Sequence, residues 1–333
     1  MIRFSSINRK FPPACLGLAL LLSGQTRCVG KTPTPKPQDL IEAAHKISGL
    51  DAFTPYTLTA DVTLIGDSRK GSLVIYRDGD KERVELKLGE YLEKQISLGT
   101  KSYIEPKHAL LDAGGFATFD RSWDPRPPSI STAATPAPSF GKVSSKNFNG
   151  QSAWCFDEHS KYLKTTLCFD AQRSIMLEKG RKKNLYEFLD FAQFGNQLIP
   201  QTVKITNERL PDITLNNIRL SQRQLSPELW VPAEDSVEIR TCDRMKPPKA
   251  EFTPEPSFPS KARAAHKTGM VTLYTIINSA GKAIMPQSLN DDPYGFTDAG
   301  KEIVKQWRFR PGTCGGIPTN VQMTLELQFN YAP

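Results

Sequence analysis

The chain has 333 residues, 38% of them hydrophobic and 23% charged, which suits a globular protein too long for one ordinary core. Its formal charge of +8 is weak ground for a nucleic-acid partner. Arg3, Arg9, Lys10 and Arg27 lie in a leader without acidic residues, and removing it leaves about +4.

Residues 1–30 read as a signal peptide. Arg3, Arg9 and Lys10 form a basic start, and the apolar core 14–24 is well short of the ~20 residues that span a bilayer. Pro12 and Pro13 stop any helix from extending backwards. Cleavage after Gly30, with Cys28 and Gly30 as the small residues, predicts a periplasmic protein starting near Lys31. An uncleaved leader acting as an inner-membrane anchor is the alternative. Arg27, directly before Cys28, argues against lipid attachment there.

After an extended Pro-Thr-Lys tether, residues 39–49 read as a helix with Leu40, Ile41, Ala44 and Ile47 on one stripe and Gly49 as its stop. Strands are predicted at 58–65, 71–76, 83–88, 91–98 and 101–105, with Asp78-Gly79 turning a hairpin. Gly114-Gly115 reads as a turn, and 121–139, carrying five prolines, as a long loop. Strands resume from 152 to 220, including 152–157, 165–170, 184–189 and 202–205. The basic run Lys179-Gly180-Arg181-Lys182-Lys183 falls between two of them and reads as a solvated hairpin turn. Many strands behind one helix predict a large curved antiparallel sheet as a first domain over 31–240.

Residues 241–257 hold Pro247, Pro248, Pro254 and Pro256 and read as a Pro-rich linker to a second domain, 258–333. There the pattern predicts a short helix at 261–267, a hairpin of 271–277 and 283–289 around Ser279-Ala280-Gly281, and a helix at 297–306 with Ala299, Ile303 and Val304 inward. Last comes a half-buried strand, in which Val321, Met323, Leu325, Leu327 and Phe329 alternate with Gln322, Thr324, Glu326 and Gln328. Two helices on a three-stranded antiparallel sheet make the whole chain α+β.

Without Cys15 and Cys28, four cysteines remain, an even set suited to an oxidising compartment. Three pairings are open. Cys155 and Cys168 fall in adjacent predicted strands, where a cross-strand bridge is easy, which leaves Cys242 with Cys314. No Cys-x-x-Cys or close His pair points to zinc.

Catalytic patterns are missing as well. His45, His108, His159 and His266 are scattered, and no nucleophile elbow, phosphate loop or calcium loop is present. Asp157-Glu158-His159 is the nearest approach to an acid–base cluster and is expected in a solvated loop between the two cysteine strands. The expectation is a non-enzymatic protein without metal or cofactor.

The C-terminal residues do carry a recognisable frame. Phe258-Pro259, Ala262, Gly269-Met270-Val271, Gly281, Trp307-Arg308-Phe309-Arg310-Pro311 and the strand 321–329 together resemble the TonB C-terminal domain family. The resemblance covers about a quarter of the chain. It implies a module that binds a peptide strand and does no bond chemistry, in a transport system of the cell envelope. The implied contact is the edge of the last strand, where main-chain groups can accept a strand from an envelope protein or an outer-membrane receptor. The same edge could pair two copies in a homodimer. An energy transducer of that family also needs a membrane helix and a long Pro-rich reach, and this sequence has neither, so binding detached from the motor is expected.

The middle of the chain resembles, more loosely, the LolA-like periplasmic lipoprotein carriers. The residues that carry this are the leading helix, the strand ladder, Trp154, Leu167-Cys168-Phe169-Asp170, Tyr186-Glu187-Phe188, Phe194-Gly195 and Leu198-Ile199-Pro200. It implies a half-barrel around an apolar cavity. The alternative function is therefore a carrier of a lipid, lipoprotein or other apolar ligand, with the C-terminal module as its docking piece.

Overall fold

The structure, a computed structural model, describes residues 33–50, 53–65, 70–89, 91–105, 138–148, 150–159, 164–181, 184–207, 212–240, 245–288 and 292–331. The leader, Gly114-Gly115, the 121–139 loop except Pro138 and Ser139, Lys182, Lys183, Leu289 and Cys242 lie outside the described residues.

Helix α1 (Pro37–Ser48) starts on a proline, at the position where a missing N–H costs nothing. The Asp39 carboxylate accepts the Lys36 N–H at 3.3 Å, and Leu40 and Ala44 turn the expected stripe into the core. Strands β1 (Tyr56–Leu64), β2 (Lys70–Asp78), β3 (Lys81–Leu88), β4 (Tyr91–Leu98) and β5 (Lys101–Ile104) form an antiparallel meander. Gly79 makes the β2–β3 turn at φ +61°, a backbone angle that favours glycine.

The second run comprises β6 (Ser139–Phe140), β7 (Ser144–Phe148), β8 (Gln151–His159), β9 (Lys164–Asp170), β10 (Met176–Arg181), β11 (Asn184–Phe194), β12 (Gln197–Asn207) and β13 (Ile213–Gln222). β13 pairs back onto β1, so the two runs, 13 described strands in all, join into one antiparallel sheet. The chain then crosses the sheet near β3, where the Arg83 guanidinium donates to the Leu229 carbonyl at 3.3 Å and the Lys81 ammonium lies 5.8 Å from the Trp230 ring centre. This crossing delivers β14 (Val237–Arg240) to the far edge, beside β5.

Alternation sorts the side chains onto two faces. On the inner face, Leu58, Leu73, Ile75, Leu86 and Leu88 from one run and Leu167, Phe169, Phe188, Val203 and Leu215 from the other are fully enclosed in one core with α1. The same face becomes polar towards β4. Arg77 and Glu82 form a buried ion pair across β2 and β3, and the register then brings in buried Glu93 and Gln95, with Ser97 and Ser102 hydroxyls 3.0 Å apart. It ends apolar again at Ile104, Val237 and Ile239.

The C-terminal part holds β15 (Met245–Lys246), β16 (Lys249–Phe252), α2 (Ser260–Ala264), β17 (Gly269–Ile277), β18 (Ala283–Gln287), α3 (Phe296–Val304), β19 (Arg308–Arg310), β20 (Thr313–Cys314), β21 (Ile317–Pro318) and β22 (Val321–Phe329). β17 is the middle of a three-stranded antiparallel sheet, with β18 and β22 outside it. Ala262, Phe296, Ile303 and Val304 of the helices pack on Val271, Leu273, Leu325, Leu327 and Phe329. The stretch read as a linker is engaged, since β15 pairs β20 and β16 pairs β19. Pro247 and Pro248 fall between these two short strands, so neither strand loses an N–H to them.

Candidate functional site

β22 is paired with β17 along all its residues, and no other described strand pairs along its outer edge. The Asn278 N–H donates to the Lys282 carbonyl at 2.9 Å, which fixes the phase of β17: even positions bond towards β18 and odd positions towards β22. Because Ile277 faces Val321 and Leu273 faces Leu325, the odd positions of β22 face inward to the ladder. The main-chain groups of Gln322, Thr324, Glu326 and Gln328 therefore point to the outer edge.

Their side chains do not form one solvated face. Glu326 and Gln328 are exposed, whereas Gln322 and Thr324 are half-buried, sharing a face with Ile276 and Tyr274. That face of the module packs on the large sheet: Tyr274 and Ile276, with Ile284 and Met285, meet Ile104, Val237 and Ile239. Asn320 ties the seam, donating to the Glu238 carbonyl at 2.8 Å while its own carbonyl oxygen accepts the Ser279 N–H at 3.0 Å. Sequence reasoning missed this seam. Its one trace was the run 271–277, where Val271, Leu273, Tyr274, Ile276 and Ile277 break the alternation because β17 is covered on both faces.

The family-motif residues assemble around the module rather than at its edge. Phe258 lies against Phe296, Phe329 and Tyr331, with ring centres 5.8, 6.5 and 6.1 Å away, under the Arg263 guanidinium. Pro259 caps α2 as the residue before it, and its carbonyl accepts the Arg263 N–H at 2.9 Å. Gly269 leaves room for the Phe296 ring, which a Cβ would approach to 2.5 Å, and Val271 is in the core. Gly281 takes φ +73°, and its carbonyl accepts the Phe309 N–H at 2.9 Å. The Trp307 indole donates to the Pro254 carbonyl at 3.1 Å, holding the chain that leads into the module. Arg308 donates to the carbonyls of Lys305, Gln306 and Trp307, capping the end of α3, while Phe309 is buried and Arg310 lies 3.8 Å from Glu251 in solvent. Pro311 follows β19 and ends it.

Asp157, Glu158 and His159 lie within β8, not in a loop, because β8 runs on to His159. The Lys164 ammonium bonded at 2.7 Å holds Asp157 below the usual carboxylate range, and burial pushes Glu158 up. A strand turns these two neighbours to opposite faces, so the two carboxyls do not form one acid–base pair. Cys155 and Cys168 stand directly opposite in β8 and β9 and are joined by a disulfide. Cys314 is disulfide-bonded too. Among the described residues no group of three metal-ligating side chains occurs, and no helix is long and apolar enough to cross a membrane.

Residues 254–331 match the family model of the Gram-negative bacterial TonB protein C-terminal. The match begins at Pro254, the acceptor of the Trp307 bond, and ends at Tyr331, against Phe258. No curated protein sequence matches the chain. Among solved structures, a LolA superfamily protein from Nitrosomonas europaea aligns over 58% of this chain and 96% of its own, at 11% identity and a TM-score of 0.38. A DUF1329 family protein from Desulfovibrio piger covers the same shares at 11% identity and 0.36. The MucA/MucB complex of Pseudomonas aeruginosa aligns over 73% of this chain and 81% of its own, at 12% identity and 0.26. At these scores the three likenesses carry no functional argument. In this chain the TonB-like segment packs on the large sheet through β17 and Asn320.

Proposed function

We propose that this chain is a non-enzymatic protein of the cell envelope, whose TonB-like module holds a partner polypeptide by adding it as a strand along β22. The observation that carries the reading is the outer edge of β22, where alternate main-chain groups point away from β17 and no other described strand pairs with them. The family match over 254–331 supports it. The fitting partner is an extended segment of an envelope protein or outer-membrane receptor in a transport system. Docking on the large sheet speaks for an adaptor and against a reaching transducer arm. The enclosed side chains on the inner face favour the adaptor over the lipid-carrier reading, because fully buried side chains leave no void beside them.

A pull-down from envelope extract, with mass spectrometry of both protein and lipid, identifies the partner. Thr324→Pro then tests the edge. It removes an outward N–H and leaves the bonds to β17 in place, a position at which a strand tolerates proline. Binding at least tenfold weaker, with an unchanged thermal melt, is the expected result, and Gln328→Ala should bind as the parent does. Undiminished affinity in a folded Thr324→Pro protein places the binding surface elsewhere.

A further inference from the structure

The seam between the module and the large sheet is apolar at its centre but poorly satisfied at its border. Ile104 and Ile276 are fully buried against each other's cluster, together with Tyr274, Val237 and Ile239. Two buried polar atoms on the strands that meet there have no hydrogen-bond partner. The Gln322 amide nitrogen is on the β22 residue opposite Ile276, and the Gln95 amide oxygen is on the β4 residue opposite Ile104. Each such atom costs about 1–3 kcal/mol relative to its solvated state. Two of them offset part of what the apolar patch contributes, since a buried Val or Ile side chain yields about 1.5–3 kcal/mol. Neither orphan is needed to hold either half together, because β4–β5–β14 and β18–β17–β22 each have their own ladders and the module has its own core.

We propose that the seam opens as a unit, with the TonB-like module lifting off the inner face at β5 and β14 while both halves stay folded. Opening lets both orphans reach water, which is the force that favours it. It uncovers a face on which the apolar Ile104, Val237 and Ile239 adjoin the polar Gln95, Ser97 and Ser102. It also releases the half-buried flank of β22 at Gln322 and Thr324.

Thiol labelling of the full, disulfide-intact chain tests this. A reporter at Ile276→Cys sits in the seam, and one at Val203→Cys sits in the main core, both fully buried. The seam thiol should label at least a hundredfold faster than the core thiol and depend only weakly on denaturant, because little surface is exposed on opening. Gln322→Met, which replaces an orphaned amide by an apolar chain of similar length, should slow labelling at Ile276→Cys and leave Val203→Cys unchanged. Equal rates with the same steep denaturant dependence would show that the halves unfold only together, and would overturn the proposal. Ile104→Cys repeats the measurement from the other wall, so a misfolded Ile276→Cys protein does not leave the matter open. Neither arm involves a partner strand, so the proposed role of the β22 edge can fail independently.

Discussion

Single residues in this chain act through backbone shape and charge. Gly281 combines a left-handed backbone angle with contact so close that a Cβ would lie 1.9 Å from the Phe309 carbonyl oxygen. Gly281→Ala should therefore destabilise the module by more than the roughly 1–3 kcal/mol of the backbone angle alone, read as a lower urea midpoint for the full chain. Asp170 is a second case. Burial raises its pKa, but the N–H groups of Arg173 and Gln172 and the Arg173 guanidinium outweigh that and hold it below the ordinary 3.8. A carboxyl with a lowered folded pKa contributes its stability in full above its unfolded value and loses it as the pH falls through the folded one. Acid titration of the melt should thus show a loss below about pH 3.8 that is smaller in Asp170→Asn.

At the scale of elements, the Trp307 to Pro311 run works as a set of braces. Trp307 holds the incoming chain, Arg308 closes the end of α3, and Phe309 fills the core. Trp307→Phe keeps the ring and removes the bond to Pro254. About 1 kcal/mol of stability should be lost, together with faster protease cleavage between Lys246 and Pro259, and unchanged cleavage there would mean the bond holds nothing. The disulfide is likewise an element-level device, stapling β8 to β9 across a separation of 13 residues. Reducing it, or making Cys155→Ser with Cys168→Ser, should cost about 3 kcal/mol in the chain-entropy model. For Cys314 we propose Cys242 as the partner, and non-reducing peptide mapping decides it: a different partner refutes the pairing.

For the whole molecule, the consequence is that the TonB-like module is carried on a sheet edge. β14, delivered to that edge by the crossing at Leu229, supplies both the apolar wall and the carbonyl that Asn320 grips. Asn320→Ala removes two hydrogen bonds at once, and a loss of about 1–2 kcal/mol is expected. It should appear as faster labelling of the seam thiol, while the melt of the large sheet stays where it was.

The sequence by itself determined what depends on neighbours along the chain. The amphipathic stripe of α1, the meander, the helix carrying Ile303 and Val304, the alternation of β22 and the facing of Cys155 with Cys168 all follow from periodicity and short turns. The motif frame of 258–329 was legible too, because its glycines and aromatics sit at spacings one small core requires. Only the tertiary structure decided that β14 joins β5, that the Pro-rich stretch supplies strands to the module, and that half of β22's polar residues lie against another sheet. Asp157 to His159 were misread for the same reason, since where β8 ends depends on its pairing with β9. A strand's period tells which side chains share a face. What that face meets is chosen by residues more than a hundred positions away, as Ile104 is from Ile276, and leaves no local pattern.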